Sequence, residues 1–314
     1  MHELKRRHFL ALAAVPLLLP QRAAFAQAPA SKGQTPVPPP RLGSGLTVCM
    51  HEASSDRFDF RQAMEGYAKA GVRYVEPNLV KVQEFAKKEG GPMAAKKLLD
   101  DLGLLAASSS NQLFLMEPGD QRLKSIEELK WKVEMAQAIG ADRLVTPSAG
   151  TGTYTKDDYK RGVDNMREAA EIAKPFGVTL MLEHARTSRF AGSLPTALQL
   201  VRETNHPNYK VMMDTYHFWG GISKFEDLEL LRDGELHHLH FEDVPADPPR
   251  EIQGQPDRKF PGEGIAPLRR IIEALKKKKY AGAVSFETFN PEVQATDPYQ
   301  VAMRVRAAIE PLIK

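Results

Sequence analysis

Four residues stand where chemistry is readily built. Glu183 closes the apolar run in LMLEH, Asp214 that in VMMDTYH, His240 that in LHHLHFED and Glu287 that in AVSFETF. Singly, each has an ordinary structural use, as a helix-start carboxylate, an N-cap, a core histidine or a strand terminator. As a set they differ, because three carboxylates and an imidazole are costly together when buried and unpaired. A divalent cation removes that cost by neutralising the oxygens and accepting the histidine lone pair. Three oxygens and one nitrogen suit Mn²⁺, with Mg²⁺, Co²⁺ and Zn²⁺ also compatible, better than a thiolate-selective metal. The expectation is one divalent ion, Mn²⁺ favoured, at Glu183, Asp214, His240 and Glu287.

For these residues to meet, the chain must bring distant strand ends to one place. Strand-like apolar runs fall at 46–50, 72–76, 104–108, 143–146, 178–183, 210–214, 236–241 and 283–287. Helix-like stretches alternate with them at 58–70, 80–102, 123–139, 156–175, from about 195, 224–231, 266–278 and 298–313. Several helices end in Gly just before the next apolar run, as in KAGVRYVE, AIGADRLV and PFGVTLMLE, where Gly accepts the left-handed conformation that stops a helix. Eight β-α units in about 270 residues predict an α/β protein, a (β/α)8 TIM barrel, whose C-terminal strand ends share one mouth. An open doubly wound sheet is the alternative. The glycines of Pro261-Gly-Glu-Gly264 lack the spacing and the preceding strand of a dinucleotide fingerprint.

Charge and cysteine content exclude other classes. The 314 residues carry 43 Lys+Arg, 40 Asp+Glu and a single cysteine, Cys49, so a disulfide framework is ruled out. The basic excess lies in residues 1–26, where Lys5, Arg6, Arg7 and Arg22 oppose only Glu3. The remainder is balanced at 39 of each sign, which gives no argument for a nucleic-acid partner. Residues 5–10 read KRRHFL and precede ALAAVPLLLP and QRAAFAQA, a basic region, a short apolar core and small-residue cleavage positions ending at Ala26. Arg6-Arg7 resembles the twin-arginine export signal. Residues 1–26 are thus expected to be a signal read by the twin-arginine export machinery, 27–45 a Pro-rich linker and 46–314 the barrel. The periplasm or cell envelope is the expected location, with the signal either cleaved near Ala26 or kept as a tether.

From Leu46 onward the chain resembles the xylose-isomerase-like TIM-barrel superfamily, which includes sugar isomerases and epimerases, inosose dehydratases and endonuclease IV. Glu183, Asp214, His240 and Glu287 match the metal set of its D-tagatose/D-psicose 3-epimerase-like members. Asp214-Thr-Tyr-His217 resembles their Asp-x-x-His, and Arg258-Lys-Phe-Pro-Gly-Glu-Gly264 their Arg-containing stretch before a Pro-Gly-x-Gly loop. The resemblance implies that His217 and Arg258 contact substrate, and that a homo-oligomer forms. The loop between His240 and Arg258 is long and carries Pro245, Pro248, Pro249 and Pro256. Lys259 stands near a position where endonuclease IV has a ligand, and Ser108-Ser109-Ser110 ends the third strand without His, so a three-zinc phosphodiesterase is not expected.

The chemistry expected is proton abstraction next to a carbonyl through a metal-stabilised enediolate, with Glu183 and Glu287 on opposite sides of the carbon. The substrate class is an unphosphorylated sugar or keto-sugar, which export makes easier to supply. Return of the proton to the opposite face gives epimerisation, and return to the neighbouring carbon gives aldose–ketose isomerisation. Loss of a β-substituent from a keto-glycoside or inosose gives a dehydratase or lyase. A non-catalytic periplasmic sugar-binding barrel is the non-enzyme alternative. Glu76, closing the second strand, and Trp219, beside His217, are further expected substrate contacts. His238 shares strand parity with His240 and ranks below it as a ligand. Cys49 reads as a small buried hydrophobe.

Overall fold

A computed structural model of the chain describes residues 45–110 and 112–314. The expected export signal and all but the last residue of the expected linker lie outside the described residues. Eight strands form one parallel sheet: β1 (Leu46–His51), β2 (Tyr74–Glu76), β3 (Leu105–Ala106), β4 (Arg143–Pro147), β5 (Thr179–Glu183), β6 (Tyr209–Asp214), β7 (Leu236–His240) and β8 (Gly282–Phe286). Neighbours run β3-β2-β1-β8-β7-β6-β5-β4, so β1 is flanked by β2 and by the last strand. The two ends of that order meet just past β3. The Ser109 amide donates to the Arg143 carbonyl, and the Val145 amide donates to the Ser109 carbonyl, each at 3.0 Å. That contact closes a barrel and excludes the open sheet.

The helices α1 (Phe60–Lys69), α2 (Leu79–Glu89), α3 (Pro92–Asp101), α4 (Asp120–Ala138), α5 (Lys156–Ala173) and α6 (Leu194–Thr204) follow in chain order. Then come α7 (Thr215–Gly220), α8 (Leu268–Lys277), α9 (Pro291–Gln294) and α10 (Pro298–Ile313). Local chemistry sets their limits. Asp59 accepts from the Gln62 amide while the Gln62 side chain accepts from the Asp59 amide, a reciprocal cap that starts α1. Phe60, Ala63, Met64 and Tyr67 then recur at helical spacing on its buried face. The single helix expected over 80–102 is two, because Gly90 and Gly91 take φ of 90° and 120° and Pro92 opens the second. The short helix expected at 224–231 is a 3-10 segment, Phe225–Leu230, and the short helices α7 and α9 fall outside the expected stretches. Among the described residues no helix is long and apolar enough to cross a membrane.

The main core lies between the strands and the helices, and small sets fill the barrel interior: Cys49, Ala107 and Ala283 at one place, Val145, Met181 and Met212 at another. Cys49 is fully buried among them, as expected. In the ladders Pro147 pairs with Glu183, Asp214 with His240, and His240 with Ser285. That register lines the polar residues up at one end of the barrel. Val145, Met181 and Met212 face inward at mid-strand, so Pro147, Glu183 and Asp214, two residues on, follow them to the inside by strand alternation.

Candidate metal centre

Glu183, Asp214 and His240 are the last residues of β5, β6 and β7, and Glu287 directly follows β8. One donor atom from each lies within 4.8 Å of all the others. Seen from His240 Nδ1, Glu183 Oε1 is 3.3 Å away, Glu287 Oε2 3.4 Å and Asp214 Oδ2 3.9 Å. A cation with bonds of about 2.0–2.2 Å places neighbouring ligand atoms roughly 3–3.6 Å apart, so these side chains need only small adjustments to share one. Glu183 Oε1 and His240 Nδ1 are buried and make no well-aligned hydrogen bond, which is the signature of donors awaiting a cation. The donor set, three carboxylates and an imidazole, fits a divalent ion of the oxygen-preferring kind. The four residues read from the sequence are thus the four brought together.

Asp214 and His240 are held from outside the group. Asp214 divides its oxygens: Oδ1 accepts from the His217 amide at 2.8 Å and caps α7, while Oδ2 faces the centre. Its expected role as an N-cap and its expected role as a ligand therefore coexist. His240 Nε2 lies 3.1 Å from Glu76 Oε2, so the proton on Nε2 is spent on a carboxylate and Nδ1 is the nitrogen turned toward the site. The same Glu76 oxygen takes His238 Nε2 at 2.8 Å and Ser285 Oγ at 3.0 Å.

That placement corrects the expectation for Glu76. It is wholly buried beneath the centre and is not on the cavity wall, because β2 turns its last side chain into the barrel where three donors surround it. His238 points inward as its parity required, but its Nε2 serves Glu76, and it meets the four residues only through ring-edge contact with His240, centroids 5.4 Å apart. Trp219 is corrected too: it is partly buried against the main core and does not line the cavity. His217 and Arg258 do line it.

The cavity at this mouth measures about 360 Å³, and its wall includes His51, Glu183, His217, His240, Arg258 and Glu287, with Phe114 and Phe289 as apolar surface. Arg258 is nearly enclosed: Nη1 lies 2.7 Å from Asp214 Oδ2, 3.1 Å from Glu287 Oε2 and 3.3 Å from Glu242 Oε1. Its loop is pinned by a two-way backbone bridge between Asp243 and Lys259 and by Asp243 Oδ2, which accepts from the Gly262 amide at 3.0 Å. A Cβ on Gly264 would lie 2.2 Å from the Val244 carbonyl oxygen, so the second Gly of the Pro-Gly-Glu-Gly stretch is there for close packing.

The carboxylates differ in electrostatics. Burial pushes Glu183 up to about 7, reinforced by Glu287 and Asp214 and only partly offset by His240. Burial also opposes ionisation of Glu287, but His240, His51 and Arg258 outweigh it and hold this carboxyl at about 2. Arg258 and His217 likewise keep Asp214 well below the usual range against its burial. Without a metal the site gathers positive charge in other ways. Glu76 and Glu287 overcome burial to raise His240 well above its ordinary value.

Three residues at the site escaped sequence reading. His51 ends β1 with Nε2 3.3 Å from Glu287 Oε1. Glu242 is buried, accepts from the Tyr216 amide at 2.9 Å and faces Arg258. Glu117 lies outside the barrel strands and ties down the cavity-wall segment after β4, accepting from the amides of Ala149 and Gly150 at 3.1 Å each. For His51 a signal existed, since it closes a strand as the four ligands do, and Glu242 follows His240 at the inward spacing of two. Glu117 had none, because its partners lie more than thirty residues away.

A closed (β/α)8 barrel with a carboxylate–histidine centre at the C-terminal strand ends defines a class of barrel built for a metal and a small polar ligand. A family model described as xylose isomerase-like TIM barrel matches residues 65–309, and the chain belongs to that family. An inosose isomerase of Halalkalibacterium halodurans is 33% identical over 172 residues, 53% of this chain and 60% of that protein, so the match spans less than two thirds of its length. An L-ribulose 3-epimerase of Mesorhizobium japonicum is 25% identical over 272 residues, covering 79% of this chain and 82% of the relative. A solved structure described as IOLI protein with a binding zinc atom superposes with a TM-score of 0.79 at 22% identity, over 85% of this chain and 98% of that one. Other relatives are also named as sugar epimerases, and one as a dehydratase.

Proposed function

We propose that the protein is a divalent-metal-dependent isomerase or epimerase acting on an unphosphorylated sugar or keto-sugar. One observation carries the reading: Glu183 and Glu287, two carboxylates of opposite protonation tendency, converge with Asp214 on the free nitrogen of His240 in the wall of a 360 Å³ cavity. Glu183, Asp214, His240 and Glu287 would hold the ion, with Mn²⁺ preferred by the oxygen-rich set, although a similar solved structure carries zinc. When bound, the ion supplies positive charge beside the carbonyl and hydroxyl oxygens of the substrate and so acidifies the carbon-bound hydrogen between them.

The chain's own groups do the rest. Glu287, held ionised, takes the proton from carbon, and the C–H electron pair moves toward the carbonyl oxygen. Glu183, whose proton affinity burial raises, takes a proton from solvent on the oxygen not given to the cation and delivers it to the other face. His217 and Arg258 orient the hydroxyls from the cavity wall, and the surrounding carboxylates keep Arg258 fully charged. Arg258 is the one Lys or Arg among the described residues lining the cavity, and it is already committed to carboxylates, which supports a neutral substrate over a sugar phosphate. Relatives named as isomerases and epimerases support the reaction class.

The test is exchange of a carbon-bound hydrogen of a keto-sugar panel with deuterated water, followed by NMR. Wild type exchanges, while Glu183→Gln and Glu287→Gln each lose exchange with the fold intact. Full exchange in both variants would sink the two-carboxylate mechanism. A relative named 3-dehydroshikimate dehydratase favours a second reading, in which the same proton removal is followed by loss of a β-hydroxyl. An unsaturated product in the same spectra identifies it. Absence of exchange with every substrate, together with tight sugar binding, identifies a non-catalytic sugar-binding barrel.

A further inference from the structure

His51 is a cavity-wall residue that the mechanism above leaves unused, and its tautomer can be read from its bonds. Nδ1 accepts the backbone N–H of Ala53 at 3.0 Å, where His51 caps the short 3-10 turn Glu52–Ser55. A ring nitrogen that accepts a hydrogen bond carries no proton, so the imidazole proton is on Nε2. This excludes His51 Nε2 as a metal ligand in that tautomer, although the ring lies near His240 and Glu287. What remains is a buried N–H donor with no hydrogen-bond partner, 3.3 Å from Glu287 Oε1 and 3.8 Å from Glu76 Oε1. The ring is fixed in this direction by its cap and by edge contact with His240, their centroids 5.2 Å apart at 84°.

The two oxygens of Glu287 face different groups. Oε2 turns toward His240 Nδ1 and Arg258 Nη1, on the side of the other ligands, whereas Oε1 turns toward His51. A carboxylate that gave both oxygens to a cation would be a weak base. We propose that His51 is a positioning residue that draws Glu287 Oε1 away from the cation and holds it as the oxygen that exchanges a proton with substrate. This rests on the proposed isomerase or epimerase reading and deepens it. Glu76 Oε1, which also lacks a hydrogen-bond partner, is the farther oxygen from His51 Nε2, at 3.8 Å against 3.3 Å for Glu287 Oε1, and Glu76 does not line the cavity.

Two variants divide the imidazole. Asn at position 51 keeps an acceptor near Nδ1 and loses the donor at Nε2, and Gln places an amide donor near Nε2. In metal-free protein, ¹⁵N NMR of the His51 ring should show the proton on Nε2, and a proton on Nδ1 overturns the proposal. His51→Asn should take up Mn²⁺ within a few-fold of wild type, yet lose at least tenfold in the kcat of deuterium exchange with KM little changed. His51→Gln should recover most of that loss. Unimpaired exchange in His51→Asn, or no recovery in His51→Gln, overturns the positioning role while leaving the parent reading intact. If His51→Asn loses the metal as well as the rate, His51 is a structural support and the proposal fails. A wild-type protein that takes up no metal and exchanges no substrate overturns the parent reading and this one with it.

Discussion

Arg258 places Nη1 2.7 Å from Asp214 Oδ2, inside the group of oxygens that would face a metal ion. Metal and guanidinium therefore draw on the same anionic oxygens, Asp214 Oδ2 and Glu287 Oε2. In the metal-free protein the arginine is the counter-charge for a buried aspartate. Removing one partner of such a pair leaves an uncompensated charge and costs about 3–5 kcal/mol. Arg258→Met should lose stability on that scale without metal and regain most of it with saturating Mn²⁺. Thermal unfolding with and without Mn²⁺ checks this: the rise in Tm on adding metal should be larger in the variant. An equal rise in both proteins would show that arginine and metal do not share the site.

Glu76 acts on the centre from below through His240. A carboxylate behind a ligating histidine fixes its tautomer and raises its basicity, and losing it typically weakens metal affinity 10–100-fold. Glu76→Gln keeps the volume but gives the rings of His238 and His240 a weaker acceptor. Mn²⁺ titration of the purified variant should show affinity reduced by about 10–100-fold with the fold retained. Affinity within twofold of wild type would make Glu76 a matter of packing alone.

Metal uptake should depend on pH with a definite sign. Glu183 lies at about 7 and His240 is raised by its carboxylate neighbours, so both hold protons that a cation must displace. Uptake of Mn²⁺ should release protons at neutral pH and weaken as pH falls below about 7. Calorimetry in buffers of differing ionisation enthalpy counts the protons. A release that is zero at pH 6.5 and affinity that is flat from 6 to 8 would contradict the assignment of these ligands.

How much of this was legible in the sequence follows from how each residue is held. The strand-end ligands were readable because burial on a barrel strand has a period of two and ends where the polar mouth begins. Asp214 and Glu183 announce themselves as the first charged groups after apolar runs, whereas His240 is the third imidazole of LHHLH and is marked by its place at the strand end. The direction of Glu76 was not readable in the same way. Its strand is three residues long and followed by Pro77, and three partners 162, 164 and 209 residues away decide that it lies under the site. Trp219 misled for a related reason: α7 begins immediately at the Asp214 cap, and only that helix's phase decides that His217 meets the cavity while Trp219 turns to the core. The Gly90-Gly91 break in the helix expected at 80–102 is written in the sequence, since two adjacent glycines are a stronger stop than the apolar period that surrounds them.

Arg6 and Arg7 are the residues on which export by the twin-arginine route would turn. Twin-arginine recognition depends on the guanidinium pair, and Lys does not reproduce its planar fork. Replacing Arg6 and Arg7 together by Lys should shift the full-length protein from the periplasmic fraction to the cytoplasm of a bacterial host, with the barrel still folded. Cell fractionation with immunoblotting reads this directly. Unchanged export of the double-Lys form would assign the segment to a different route.

Glu52 offers a stability test away from the ligands. Burial pushes its carboxyl from 4.5 up to about 7, only partly offset by Lys81 and by the Asn78 amide that donates to Oε2 at 2.7 Å. Between those values the folded chain keeps a proton that the unfolded chain has released, so folding favours the protonated form. The stability this group contributes is full below about 4.5 and declines as pH rises through 7, by up to about 3 kcal/mol at one pKa unit per 1.4 kcal/mol. Glu52→Gln keeps an acceptor for Asn78 and removes the titration. Urea unfolding of metal-free wild type and variant at pH 5 and pH 8 should show the variant gaining about 2–3 kcal/mol relative to wild type at the higher pH. Parallel stability curves would mean that Glu52 ionises in the folded barrel as freely as it does in water, which its burial with one unpartnered oxygen argues against.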